Sequence, residues 1–212
     1  MTASSSATGR LPLAAVILAA GASSRMGRPK LLLAWAGSTV IGHLISQWRG
    51  LGAAQIAVVL RPDDAVLAKE LERLGFPNTD LIPNPQPERG MFSSIVCAAG
   101  WPGWRSEISR WAIALGDQPH LRTETLRQLL DLSAANPDAL CQPAFAGRTA
   151  HPVILPLPVF RSLQGARAET LKDFLKRAAV RRVQCPVNDS GLVLDLDTPE
   201  DYINILASNS VA

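Results

Sequence analysis

The sequence predicts an α/β fold: a three-layer α/β/α sandwich around a mostly parallel sheet. Three observations predict it. Short apolar runs suited to strands covered on both faces alternate, end to end, with segments whose apolar residues recur at helical spacing. The first run, Ala14 to Ala20, is too short for a helix that must stand alone, and Gly21 ends it. The 212 residues suffice for one substantial core, with no internal repeat and no composition break to mark a second domain. One domain is therefore expected over 11–208. The leader MTASSSATGR, 1–10, lacks an apolar stretch and is expected to be disordered.

The elements follow in order. After the opening strand and its glycine loop, Leu31 to Trp35 is a short apolar piece. Thr39 to Arg49 predicts a helix through Val40, Leu44, Ile45 and Trp48, stopped by Gly50 and Gly52. Gln55 to Leu60 is the second strand. Pro62 and Asp63 start a helix carrying Val66, Leu67, Leu71 and Leu74, which Gly75 closes. Asp80 to Ile82 is a third strand. Pro83 to Arg89, PNPQPER, is held extended by its prolines and delivers Gly90 and a helix through Ala99. Trp111 to Leu115 is a fourth strand, and Thr123 to Leu132 a helix with Leu126, Leu129 and Leu130 inward. Strands are expected at 138–142 and 152–155, helices at 159–163 and 170–179, and late strands at 181–187 and 192–194. A last helix runs over 199–206.

Composition narrows the function. The formal charge of +3 suits a small polyanionic substrate and lacks the concentrated basic stripe of a nucleic-acid binder. No apolar run is long enough to cross a bilayer. The cysteines, Cys97, Cys141 and Cys185, are far apart, and no pair has metal-ligand or redox spacing. Free buried thiols in a reducing cytoplasm are expected.

The stretch AAVILAAGASSRMGRPK, from Ala14 to Lys30, carries the chemistry. A strand ends in glycine and small residues, and Arg25, Arg28 and Lys30 follow within a few positions. Backbone amides in such a turn, flanked by fixed cations, suit an anion with several charged oxygens. The expectation is a triphosphate cradle at the carboxyl end of the first strand. The Walker-type loop is excluded, because Pro29 precedes Lys30 and Leu31 follows it. Gly21 and Gly27 are too far apart for the dinucleotide fingerprint.

Two acidic positions complement the cradle. Asp117 directly follows the strand WAIAL, in GDQP, where a carboxylate is well placed to hold Mg²⁺ with substrate phosphates, or else to cap the next helix. In DLDTPED, Asp195 and Asp197 alternate around Leu196 and share one side of an extended backbone. Glu200 and Asp201 have a sufficient role in the first turn of the last helix. GMFSSI places Gly90, Ser93 and Ser94 at a helix start, where they suit a ribose, a base edge or a phosphate, and equally a plain N-cap. His151 precedes Pro152 in AFAGRTAHPV, as a donor to an acceptor molecule or as a satisfied loop histidine.

LAAGASSRMGRPK resembles the signature LAAGxSxRMGxxK of the nucleotidyltransferase family that attaches nucleotides to the molybdenum cofactor. The Ala-Ala-Gly form is similar to its cytidylyltransferases. The matches at GMFSSI, GDQP, AFAGRTAHPV and DLDTPED extend the resemblance over almost the whole chain. It implies a Rossmann-like nucleotidyltransferase fold, with CTP and the phosphate of molybdopterin as substrates and Mg²⁺ as the ion. It assigns Leu18, Ala19, Ala20, Gly21, Ser23, Arg25, Lys30, Gly90, Ser93 and Ser94 to the nucleotide. Arg25, Lys30 and Asp117 are implied as catalytic, Asp117 and Asp197 as metal ligands, and His151 as an acceptor contact. A recipient molybdoenzyme is an implied partner; nucleic acid and membrane are not. Ala150 stands where that family usually has Gly. No Ser-His-Asp or Cys-His arrangement is visible, so the expected reaction is direct phosphoryl chemistry, without a covalent intermediate.

Overall fold

The computed structural model describes residues 11–209; the leader expected at 1–10 lies outside the described residues. Along the chain run β1 (Leu13–Leu18), the hairpin β2 (Ala34–Trp35) and β3 (Ser38–Thr39), α1 (Val40–Gly50), β4 (Gln55–Leu60), α2 (Ala65–Arg73), β5 (Leu81–Pro83) and α3 (Met91–Gly100). Then come β6 (Arg110–Leu115), α4 (Thr123–Ala135), β7 (Leu140–Phe145), β8 (Arg148–Thr149), β9 (Val153–Pro156), α5 (Leu157–Ser162), α6 (Leu171–Arg177), β10 (Arg182–Pro186) and α7 (Pro199–Asn209).

The main sheet has the order β10-β7-β9-β6-β1-β4-β5, with β8 beside β7. β1 pairs in parallel with both β4 and β6, and β4 with β5 and β7 with β10 are parallel too. β9 runs against its neighbours β6 and β7. Every residue of β1 and β4 is buried, because both faces of the sheet are covered. Alternate residues serve the two faces. Ala15 and Ile17 pack with Trp48 of α1, Leu71 of α2, Leu129 of α4 and Ile205 of α7. Ala14 and Val16 pack with Ile95 of α3, Phe160 of α5 and Leu171 of α6. The molecule is thus the α/β/α sandwich that the alternation predicts.

Local chemistry sets the helix starts. Thr39 caps α1 by accepting from the Gly42 amide at 3.2 Å. Asp64, not Pro62 or Asp63, caps α2, accepting from Leu67 N at 3.0 Å. That start leaves Val66 56% exposed, on the solvent side, while Leu67 and Leu71 face the core.

Three expected segments take other forms. The strand expected at 192–194 is a 3-10 turn, Ser190–Val193, capped by Asp189 accepting from Gly191 N. Its Val193 and Leu194 remain exposed, so apolar character there does not signal a sheet position. In PNPQPER the prolines do not keep the whole segment extended; Pro87–Arg89 turns into 3-10 helix. The piece 31–35 divides between a 3-10 turn, Lys30–Leu32, and the strand β2. β7 also continues through Pro143, whose carbonyl accepts from Ala150 N at 3.0 Å, so the missing proline N–H does not end the strand.

β1 and β6 finish side by side, with Leu18 opposite Leu115. The loops that follow, bearing the glycine stretch and Asp117, therefore open on one edge of the sheet. Open α/β sheets bind ligands at this edge, beyond the carboxyl ends of the parallel strands.

Candidate active site

The loop after β1 is closed by its own backbone. Ser23 takes φ 51°, Met26 N donates to Ser23 O at 3.1 Å, and Lys30 N donates to Ser23 Oγ at 3.3 Å. Gly21 needs no positive φ, and a Cβ built on it meets nothing within 4 Å. Its surface is open toward the space beside the loop. The closure directs Lys30 inward.

Lys30 Nζ stands 2.7 Å from Asp117 Oδ2 and 3.3 Å from Asp197 Oδ1. Arg25 reaches Asp197 Oδ2 at 2.7 Å from the solvent side. The Lys30 side chain is 13% exposed and Arg25 is 71% exposed, so the Lys30 contacts are the better shielded and stronger ones. Two further contacts hold the acids in place. Leu196 N donates to Asp117 O at 3.1 Å, tying the C-terminal segment to the end of β6. Thr198 and Asp201 cap α7 reciprocally, and Asp201 also accepts from Asp197 N at 3.3 Å.

Asp195 makes no ion pair with Lys30. Gln118 Nε2 donates to its Oδ1 at 3.1 Å, while burial and the neighbouring Asp117 and Asp197 push its carboxyl above the ordinary range. Asp117 Oδ1 is buried and has no hydrogen-bond partner among the described residues. An orphan carboxylate oxygen beside a second carboxylate suits a hard divalent cation, which takes one or two carboxylates plus phosphates. Among the described residues no group of three or more His, Cys, Asp or Glu side chains could hold a metal ion. The phosphates would supply the remaining ligands.

A cleft of about 250 Å³ opens beside these charges, lined by the run from Leu18 to Gly21, by Lys30 and Asp117, and by Gly90 and Ser94 of the facing wall. Gly90 has φ 85°, which favours glycine, and it turns the chain into α3. Ser93 lies outside the cleft lining. Its hydroxyl meets the carbonyls of Gly90 at 2.7 Å and Gln86 at 3.1 Å. His151 is not in the lining either. Its Nδ1 sits 3.1 Å from Ile113 O, and burial pushes the imidazole below its ordinary pKa, opposed by Asp117 and Asp195. The ring is therefore neutral near pH 7, with Nδ1–H donating to Ile113 O.

Sequence reasoning missed Gly116, Pro87 and Met91, which also line the cleft. Gly116 carries a legible signal, since it sits between strand and acid in GDQP. A Cβ there would lie 2.7 Å from Leu18 O and 3.0 Å from Leu31 Cδ2. Only glycine lets the two strand ends meet this closely.

Residues 15–183 match the family model described as the MobA-like NTP transferase domain. The chain belongs to the MobA-like NTP transferase family. It is a nucleotidyltransferase by that membership. The chain is 25% identical to the molybdenum cofactor cytidylyltransferase of Escherichia coli (strain K12) over 189 residues, 89% of this chain and 92% of that one. It is 27% identical to the purine catabolism protein PucB of Bacillus subtilis (strain 168), over 90% of this chain and 94% of that one. Among solved structures it is similar to Rv0371c from Mycobacterium tuberculosis H37Rv, with a TM-score of 0.71 and 28% identity, covering 92% of this chain and 97% of that one. The same mycobacterial protein is also known in complex with manganese, at a TM-score of 0.64, 25% identity and coverage of 93% and 99%. As a MobA-like NTP transferase the chain takes a nucleoside triphosphate, with a cofactor or a sugar phosphate as second substrate. No helix among the described residues is long and apolar enough to cross a membrane.

Proposed function

We propose that this protein transfers CMP from CTP to the phosphate of molybdopterin, releasing pyrophosphate and forming molybdopterin cytosine dinucleotide. The observation that carries the reading is Lys30, held between Asp117 and Asp197 at the cleft that follows β1. The likeness to the E. coli cytidylyltransferase over nearly the whole chain supports the choice of substrates.

The acceptor phosphate is already ionised near neutral pH and needs no strong general base. One of its oxygens attacks the α-phosphorus of CTP in line. The bond to the bridging oxygen breaks, and pyrophosphate leaves with the electron pair. Lys30 and Arg25 orient the triphosphate and neutralise charge that grows on the leaving group. The amides of Ala20 and Gly21, with Ser23 bracing the loop, face the nucleotide, while the Ala19 N–H is held by Val59 O at 2.8 Å and Ala19 contributes cleft wall. Gly90 and Ser94 form the opposite wall. Asp117 and Asp197 would hold Mg²⁺, which supplies Lewis-acid neutralisation of the phosphates when bound. His151 remains the proposed acceptor contact through Nε2, with Nδ1 engaged by Ile113. The reaction belongs to the cytoplasm in this reading, and a molybdoenzyme receives the product.

The test incubates the protein with Mg²⁺, molybdenum cofactor and each of the four nucleoside triphosphates in turn, and measures pyrophosphate. The expected result is release with CTP. Preference for GTP would replace the cytidylyl assignment by a guanylyl one. Ligand binding without pyrophosphate release would make the protein a carrier.

A further inference from the structure

Asn84 lies behind the facing wall of the cleft, completely buried, just after β5. Its amide makes contacts in two directions. Oδ1 accepts from the Gln86 backbone N–H at 2.9 Å. A backbone N–H only donates, so this bond fixes which end of the amide is oxygen. Nδ2 must then face the two serines of α3, and it stands 2.8 Å from Ser93 Oγ and 2.9 Å from Ser94 Oγ. The backbone of Asn84 is fixed as well, donating to Leu60 O at 2.8 Å.

The two serines differ in what remains. The Ser93 hydroxyl accepts from Asn84 and gives its own proton to nearby carbonyls. The Ser94 hydroxyl also accepts from Asn84, but no contact among the described residues takes its proton. Ser94 is 4% exposed and lines the cleft. A buried O–H without an acceptor costs free energy until something in the cleft accepts from it.

We infer that Asn84 is a positioning residue for nucleotide binding, because its amide occupies one of the two Ser94 lone pairs on the side away from the cleft and leaves the Ser94 O–H to donate to the bound nucleotide. The recognised group is an acceptor, such as a base carbonyl, an unprotonated ring nitrogen or a ribose oxygen. Through Gln86 the same amide fixes the turn that carries Pro87 and Gly90 to the cleft, so one side chain sets both parts of this wall. This inference rests on the proposed function only in taking the cleft as the nucleotide site. It holds for whichever base the protein prefers.

The experiment measures nucleotide dissociation constants by calorimetry, with excess Mg²⁺, for CTP and GTP on the full chain. The variants are Asn84→Asp, Ser94→Ala and the double variant, each checked for cooperative thermal unfolding. A carboxylate at position 84 only accepts, so it draws the Ser94 proton away from the cleft. Asn84→Asp and Ser94→Ala should each weaken the preferred nucleotide about tenfold. The double variant should be no weaker than either single one. Should Asn84→Asp fail to unfold cooperatively, Asn84→Ala removes the amide without adding charge and is read in the same way. Wild-type affinity in the Asn84 variant, or losses that multiply in the double variant, would overturn the inference. A GTP preference in the wild type would sink the cytidylyl assignment and leave this test intact.

Discussion

Lys30 Nζ lies 2.7 Å from Asp117 Oδ2, although 87 residues separate them in the chain. The contact exists because β1 and β6 are parallel neighbours, and the loops after them share one edge. A cation between two carboxylates compensates charges that otherwise repel. In the proposed reaction the same ammonium group meets phosphate oxygens. Lys30→Met should therefore remove transition-state stabilisation more than binding, lowering kcat by roughly a hundredfold or more. Steady-state pyrophosphate release checks it. A kcat near wild type would take Lys30 out of the reaction.

Asp117 should couple activity to a divalent ion. Its Oδ1 is buried without a partner among the described residues, so Asp117→Ala removes a carboxylate that the protein's own hydrogen bonds use only in part. We expect metal-dependent turnover to be lost while cooperative unfolding persists. Chelation of the wild type should abolish turnover, and Mg²⁺ or Mn²⁺ should restore it. Turnover that survives both chelation and Asp117→Ala would remove the ion from the mechanism.

The part of this site legible in the sequence is the part built on buried parallel strands. The runs that start at Ala14, Ile56 and Trp111 are apolar throughout because both faces are covered, and each ends near a loop that reaches the site or its edge. Where a cap or a distant backbone partner decides the structure, apolar character in the sequence misleads. Leu192 to Leu194 looks like a strand, but the Asp189 cap winds it into a 3-10 turn, and Leu196 N bonds back to Asp117 O. Ser93 and Ser94 are indistinguishable on paper. Only the helix register turns Ser94 to the cleft and Ser93 to the Gly90 and Gln86 carbonyls. Asn84 carries a local turn signal through Gln86 N, but nothing nearby in the sequence ties it to the serines nine and ten residues on.

Gly116 has no room for a side chain. A Cβ added there would press on the Leu18 carbonyl, which is backbone and gives way poorly. Gly116→Ala should destabilise the fold by about 1–3 kcal/mol and also weaken nucleotide binding, because Leu18 and Asp117 flank the cleft. Denaturant unfolding with calorimetry checks both effects. Full stability in the variant would show that the strand ends separate freely.

His151 predicts the sign of a pH effect. Burial holds its folded-state pKa below the ordinary 6.5, so the unfolded chain binds a proton first as pH falls. The wild type should lose stability as pH drops from 6.5 toward the lower folded value, and this contribution should vanish above 6.5. His43, also depressed by burial, adds a contribution of the same sign. His151→Asn should flatten part of this slope. Chemical denaturation between neutral and mildly acidic pH checks it. An unchanged slope would mean that His151 takes up its proton as readily folded as unfolded.

Asp189 connects the two halves that carry the acids. The residue is 2% exposed. It accepts from Thr125 Oγ1 at 2.7 Å, Gly191 N at 3.0 Å and Arg122 N at 3.2 Å. Thr125 and Arg122 belong to the segment after Asp117, while Gly191 precedes Asp197. Asp189→Ala takes the partner from three donors, two of them on the buried Thr125 and Gly191, so a loss of roughly 3 kcal/mol is expected. Freed from this tie, the segment bearing Asp197 should sit less firmly beside Asp117, and the Mg²⁺ concentration needed for half-maximal turnover should rise. Asp189→Asn keeps one acceptor oxygen and should recover part of both losses. Loss of stability with an unchanged Mg²⁺ requirement would separate the tie from the site and leave Asp189 with a folding role alone.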